Sequence, residues 1–292
     1  MDIKQLRYFI AIAEEKNITA AANRLHMSQP PLSIQLKQLE DELGVKLIER
    51  NGKSMELTDK GELLYQRALH LVNCFEEIIN EIQDTEEGKK GALNIGINTL
   101  SVSGFSEMLQ SFHKNYPHVS LKIVQNDSFY LAEMVKNRAI EMAFVRLPLE
   151  HRGLVYHHLI NEPFIFVSKM EVHNISLEEV ANMPLILPST EGLGIYNTIL
   201  EAFTRQKLPL KNIAECSDMH VLMELVKGGT GVTIVPKSVF DVYGAKSLYS
   251  APISNANMTS SLGVILLEHH YVSTPAKNFM DLVKGYYKHS QL

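Results

Sequence analysis

Apolar residues in the first sixty positions recur at intervals of three and four. Leu6, Phe9, Ile10 and Ala13 follow helical spacing and predict a helix over Ile3–Glu15 with one buried face. Asn17 can cap a second helix, in which Thr19, Ala20, Ala21, Ala22 and Leu25 keep the side chains small, so that a neighbouring helix can cross closely. A third helix is expected from Ser28 or Gln29, with Leu32, Leu36, Leu39 and Leu43 as its core stripe and Gly44 as its end. Lys46–Ile48 and Met55–Leu57 then flank Arg50-Asn51-Gly52-Lys53. Asn-Gly is a strong hairpin signal, because both residues tolerate positive φ. Thr58-Asp59 can cap a further helix running to about Glu87 without proline. Along it Leu64, Ala68, Leu71, Phe75, Ile78 and Ile82 alternate at four and three, a heptad seam suited to pairing with a second copy.

Gly88-Lys89-Lys90-Gly91 breaks this pattern. Beyond it the period changes. Leu93, Ile95 and Ile97 alternate as a strand, a helix is expected over Val102–Tyr116, and Val119, Leu121 and Ile123 alternate again. A helix from Asp127 or Ser128 to Ala139 and a buried strand over Met142–Val145 follow. Strand–helix alternation implies parallel strands joined by crossover helices. The pattern recurs: strands Glu162–Lys169, Pro184–Leu187 and Ile213–Cys216, and helices Tyr196–Gln206 and Asp218–Lys227. Gly228-Gly229-Thr230-Gly231 reads as a turn into Val232–Pro236, because no Lys-Ser/Thr follows to make it a phosphate loop. Leu262–Leu267 and a helix over Thr274–Lys288 return to the first repeat. The organisation expected is 1–58 as a winged helix-turn-helix, 59–88 as a linker helix for dimerisation and 89–91 as a hinge. The rest, 92–292, is a two-lobed α/β domain, with lobe I at about 92–161 and 266–292 and lobe II at about 162–265.

Composition narrows the class. The 292 residues are 45% hydrophobic and 21% charged, enough for more than one core, and no apolar run is long enough to span a bilayer. The N-terminus is mixed in charge and has no signal-peptide core, so a cytoplasmic protein without a membrane partner is expected. Cys74 and Cys216 are far apart and no C-x-x-C occurs, which argues against a thiol-rich metal site. His157-His158 and His269-His270 are adjacent pairs whose side chains diverge on a strand; no metal and no cofactor is expected. The net charge is −5, and Met1–Lys60 is neutral. Affinity for nucleic acid must therefore come from placement of charge and from multivalency.

Placement is where the third helix is informative. Pro30 and Pro31 are tolerable only in a first turn, and they occupy the positions whose N–H groups a capping Ser28 would bond. The Ser28 hydroxyl is left for another partner, such as a DNA phosphate. Pro30, Ser33, Ile34 and Lys37 lie opposite the leucine stripe. The helix's first half holds no acid, whereas Glu40, Asp41 and Glu42 cluster in its second half. A plain amphipathic helix and a helix that enters a major groove both fit this layout. In the second case Gln29 suits adenine, Ile34 a thymine methyl, and Lys37 guanine or phosphate; Arg50 and Lys53 at the hairpin tip suit phosphates.

The segments A-A-A-N-R-L-H-M-S-Q-P-P-L-S, L-E-D-E-L-G-V-K-L-I-E-R and L-T-D-K-G, within Asn17–Gly61, resemble the N-terminal domain of LysR-type transcriptional regulators. Ile34 departs from the family, which often carries a polar or basic residue there. The two α/β lobes resemble the family's periplasmic-binding-protein-like effector domain by layout more than by motif. The resemblance implies a bacterial, ligand-responsive regulator. Its implied partners are double-stranded promoter DNA, a small-molecule effector and itself, as a homodimer or homotetramer; RNA polymerase is a further partner that the resemblance allows.

In open α/β sheets ligands sit beyond the carboxyl ends of strands, near helix N-termini. Those places hold Asn98, Thr99, Leu100, Ser101, Ser128, Phe129, Arg146, Ser189, Thr190 and Thr233. A small anion, above all a carboxylate, fits their hydroxyls, N–H groups and guanidinium. Arg146 either meets such a ligand or pairs with a neighbouring acid, and Thr99, Ser101 and Ser128 serve equally as helix caps. Two other classes remain: a cytoplasmic solute receptor on the same lobes, and an enzyme. No Ser/His/Asp order, metal spacing or phosphate loop stands out for the latter.

Overall fold

The computed structural model describes residues 1–51, 54–83, 90–98, 100, 102, 104–147, 149, 152–188 and 194–289. The chain divides into two compact units. One is Met1–Gln83 with Asn137–Ala139; the other is Asp84–Lys136 with Ile140–Leu292.

The first unit runs α1 (Ile3–Glu15), α2 (Ile18–Arg24), α3 (Gln29–Leu43), β1 (Ile48–Asn51), β2 (Ser54–Leu57) and α4 (Asp59–Gln83). Local chemistry sets these boundaries. Asp2 and Gln5 form a capping box at α1, and Asn17 Oδ1 accepts from the N–H groups of Thr19 and Ala20 at α2. Gly44 closes α3 at φ +68°. The seven-residue α2 is too short to persist alone and is held by packing. Its buried Ala21 and Ala22 join Phe9, Ile12, Leu32, Leu36, Leu39, Leu47, Ile48 and Met55 in one core. Leu43, expected in the α3 stripe, is 38% exposed, because it stands in the last turn next to the exposed Gly44 and Val45. β1 and β2 pair antiparallel with Asn51 opposite Ser54. Asn51 is thus a strand residue rather than a turn residue; Gly52 and Lys53 lie outside the described residues.

The second unit continues with β3 (Lys90–Asn98), α5 (Phe105–Asn115), β4 (His118–Asn126), α6 (Ser128–Lys136), β5 (Met142–Leu147), β6 (Leu154–Ser168), α7 (Leu177–Ala181), β7 (Leu185–Pro188), α8 (Gly194–Arg205), β8 (Asn212–Cys216), α9 (Met219–Gly228), β9 (Thr233–Pro236), α10 (Lys237–Tyr243), β10 (Tyr249–Pro252), β11 (Thr259–Leu267) and α11 (Thr274–His289). The strand order is β10-β6-β11-β5-β3-β4, with β9 also on β6 and with β7 paired to β8. β3 is parallel to β4 and β5, as crossover helices require; β11 is antiparallel to both β5 and β6.

Alternation divides each lobe into two layers. On β5, Met142 and Phe144 join α5 and α11 in one cluster, while Ala143 and Val145 join α6 in another. On β6, Phe164 and Phe166 pack with α7 and α8, and Ile165 and Val167 with α9 and α10. β6 therefore belongs to both lobes. It starts at Leu154, eight residues before the position expected from the sequence, because its first half is an edge strand on β11 with mixed burial rather than an apolar run. The helix expected from Val102 begins at Phe105, after Gly104 at φ +76°, and α6 stops at Lys136, short of Ala139. His269-His270 falls in a turn after β11 rather than on a strand. Among the described residues no helix is long and apolar enough to cross a membrane.

Candidate nucleic-acid interface and ligand site

The α3 surface keeps its expected division. Leu32, Leu36 and Leu39 are buried, whereas Ser28, Pro30, Ile34 and Lys37 are exposed and Gln29 and Ser33 half-buried. The Ser28 backbone is extended, as in an N-cap, yet its side chain makes no cap hydrogen bond. Proline at the second and third helical positions removes the donors it would accept from. No acid stands in the first turn. The Arg50 side chain and all of Lys53 lie outside the described residues.

The acidic second half of α3 hides a device that the sequence did not reveal. Glu40 is only 7% exposed. Its Oε2 accepts from Lys46 Nζ at 2.6 Å, and its Oε1 from the N–H groups of Leu47 at 2.9 Å and Ile48 at 3.3 Å. Burial pushes the carboxyl up, but the three donors outweigh it and hold Glu40 below the ordinary glutamate range. One carboxylate thus fastens α3 to the strand that enters the hairpin. Thr58 supports the other strand: its Oγ1 donates to Lys46 O at 2.8 Å and accepts from Gly61 N–H at 3.0 Å.

The α4 seam separates into two functions. Ala68 is fully buried and Leu64 partly buried against Leu6, Ile10 and Val72, so both belong to the subunit's own core with α1. They are removed from the dimerisation set. Leu71 (51%), Phe75 (43%), Ile78 (50%) and Ile82 (79%) are exposed, as are Leu63 and Ile79. An apolar strip of this size on one helix calls for a partner.

At the strand ends of the second unit the expected residues meet in part. Asn98, at the end of β3, donates from Nδ2 to Ser128 Oγ at 2.8 Å and accepts at Oδ1 from Leu100 N–H at 2.9 Å. Ser128 Oγ also accepts from the Arg146 N–H at 2.9 Å. One buried hydroxyl therefore ties together the ends of β3 and β5 and the start of α6, and its own O–H stays a donor. Phe129 is 60% exposed beside it. Thr233 is buried and donates to Ile186 O at 2.8 Å, a contact within its own lobe. Thr99, Ser101, Ser189 and Thr190 lie outside the described residues.

Arg146 corrects its expectation. Only 3% exposed, it does not hold its charge at a cleft mouth. Its guanidinium donates to Glu162 Oε1 at 2.6 Å, Ser260 Oγ at 2.7 Å and Ser238 Oγ at 2.7 Å. Glu162 in turn accepts from Ser238 N–H at 2.6 Å and Ser238 Oγ at 2.8 Å. The pairing alternative holds. A buried charge needs this density of partners, and the four residues join β5, β6, β11 and α10, where strands pass from one lobe to the other. Burial also raises the Tyr287 phenol, which feels the charges of Arg146 and Glu162. Glu162, Ser238 and Ser260 escaped sequence reasoning: they stand 16, 92 and 114 positions from Arg146 and share no local motif with it.

The family model described as "LysR substrate binding domain" matches residues 86–288, and that described as "Bacterial regulatory helix-turn-helix protein, lysR family" matches residues 3–62. The HTH-type transcriptional regulator BsdA of Bacillus subtilis is 35% identical over 97% of this chain and 100% of its own. The crystal structure of CbnR, a LysR family transcriptional regulator, superposes with a TM-score of 0.76 at 22% identity, covering 98% of this chain and 99% of CbnR. Full-length CbnR complexed with its target DNA gives 0.75 at 23% identity, with the same coverage.

Proposed function

This chain belongs to the LysR family of transcriptional regulators, and from that membership we propose how its own residues divide the work. Two copies pair through Leu71, Phe75, Ile78 and Ile82 of α4. Each lays the first half of α3 in a major groove. Ser28 takes a phosphate, Gln29 reads adenine, Pro30 and Ser33 line the groove wall, Lys37 meets guanine or phosphate, and Arg50 and Lys53 clamp the backbone from the hairpin. The observation that carries this reading is the uncapped, exposed Ser28 at the head of an acid-free helix face. With the N-terminal segment neutral overall, pairing supplies the affinity, because the second contact becomes intramolecular.

The effector is a small carboxylate-bearing metabolite. It lies where β3 and β5 end and α6 begins, touching Leu100, Ser128 and Phe129; Thr99, Ser101, Ser189 and Thr190 are the further candidate contacts from the sequence. Asn98 positions Leu100 and Ser128. Arg146 and Thr233 stay as supports inside the lobes, a narrower role than a direct ligand contact. Effector binding shifts the population between two arrangements of the lobes, and this changes how dimers associate into tetramers on promoter DNA. Calorimetric titration with a panel of metabolites tests the ligand: carboxylates bind and their amides do not. Binding of neutral members alone contradicts the assignment. A footprint on the protein's own upstream region tests the DNA half, with two protected half-sites expected.

A further inference from the structure

Ile34 is a branched aliphatic side chain on the outward surface of α3. It follows Leu32 and precedes Leu36 by two positions each, which at about 100° per residue turns it away from their core. It is 56% exposed, while Leu32 and Leu36 are 0% and 7% exposed. Its neighbours one turn either way, Pro30, Lys37 and Gln38, are exposed, and Ser33 beside it is half-buried. Ile34 stands outside the buried core cluster of this unit, and a β-branched residue favours the helix less than alanine or lysine would. It stands as an exposed branched aliphatic group with Pro30 on one side and the polar Ser33, Lys37 and Gln38 on the other.

We propose that Ile34 is a specificity-determining residue that reads the C5-methyl group of a thymine in each operator half-site. This rests on the reading of α3 as the helix that enters the major groove. In that groove the thymine methyl is the sole apolar feature of the base edges. Guanine, adenine and cytosine present donors and acceptors there. A sec-butyl side chain pressed on those would leave them dry and unpaired, a penalty that a methyl group does not incur. A partner matched to Ile34 is therefore a 5-methylpyrimidine, and the same side chain selects against the other bases by desolvating them. Lys37, one turn on, faces the next part of the same groove and sets the register of the contact.

The test uses the full-length protein and a duplex carrying the upstream segment that it protects in a footprint. Each thymine is replaced in turn by uracil, which removes the methyl and nothing else, symmetrically in both half-sites. The wild-type protein is expected to lose about fourfold in affinity per half-site at one position and little elsewhere. Ile34→Ala should lose affinity for the unmodified duplex and become indifferent to uracil at that position. Ile34→Val, which keeps a branched methyl, should retain the sensitivity. Both variants should match the wild type in melting temperature and in salt dependence, since the residue is exposed and uncharged. The inference is overturned if no thymine position is sensitive in the wild type, or if Ile34→Ala keeps the full sensitivity. If the wild type forms no salt-dependent complex with its upstream DNA at all, the groove-reading role of α3 fails with it. A complex that forms without thymine dependence removes only the role of Ile34.

Discussion

The two candidate sites of this molecule handle their polar groups in opposite ways. On α3 the groups expected to act are exposed or half-exposed: Ser28 makes no cap bond, Lys37 and Pro30 face outward, and Gln29 and Ser33 are half-buried. At the strand ends of the second unit the polar side chains are buried and engaged with one another: Asn98 with Ser128, Ser128 with Arg146, and Arg146 with Glu162, Ser238 and Ser260. A surface that recognises a large, polyanionic partner can leave its donors in water until the partner arrives. A pocket that responds to a small ligand needs a fixed frame around it, because the ligand brings little surface of its own. The first kind of site is built from residues close in sequence. The second is built from residues brought together only by the fold.

The contrast can be broken at several points. The largest effect is expected at the buried pair. Glu162→Ala leaves the Arg146 guanidinium buried without its counter-charge, and the second unit should lose about 3–5 kcal/mol, measured as a shift in urea unfolding. A loss below about 1 kcal/mol would mean that the frame is not held by charge. Next comes the α4 seam. Ile78→Asp places a charge in an exposed apolar strip, so the fold should persist. Sedimentation should show monomer, and operator affinity should fall about a hundredfold, the scale of lost avidity. Ala68→Asp, by contrast, should unfold the first unit, since Ala68 is completely buried.

Glu40 gives a smaller effect with a defined pH dependence. Glu40→Gln removes the ion pair to Lys46 and weakens the hold on the Leu47 and Ile48 N–H groups; a cost of about 1–3 kcal/mol is expected. The folded-state pKa of Glu40 lies below the ordinary value of 4.5. Its contribution is therefore fully present above that value and is lost as pH falls through the folded-state pKa. The difference in stability between wild type and Glu40→Gln should be constant near neutrality and shrink in acid. The smallest effect is at Ser28. Ser28→Ala should leave the melting temperature unchanged, because no cap bond is lost, and weaken DNA binding severalfold in a gel shift. An unchanged affinity there would return Ser28 to a purely structural role.

What the sequence disclosed follows the same division. The elements of the first unit were legible because caps, proline placement and leucine spacing act within a few residues. Asn17, Ser28 and Gly44 mark their helices as local chemistry requires. Leu64 and Ala68 pack on α1 although they share the heptad spacing, because a heptad pattern does not say which part of a long helix packs on its own chain. Glu40 was hidden in an acidic run that reads as solvated surface; its partners stand six to eight positions on, across a helix end. In the second unit alternation located most strands, but the first half of β6 is a half-exposed edge whose apolar residues, Leu154, Val155, Leu159 and Ile160, are interrupted by His157-His158 and make neither a continuous run nor a clean alternation. Arg146 was placed correctly at the end of a buried strand, yet its partner could not be foreseen, because Glu162 lies on a different strand and Ser238 and Ser260 are about a hundred positions away.

The proposal that paired copies of this chain read two half-sites through α3 is open to a direct test. Footprinting of the full-length protein on its own upstream DNA, over a range of salt concentrations, tests it most directly. Two protected segments are expected, with their centres a whole number of helical turns apart, and an affinity that falls steeply with added salt. Ile78→Asp should abolish the paired footprint at the same protein concentration. A single protected segment, or a paired footprint that survives Ile78→Asp unchanged, would contradict it.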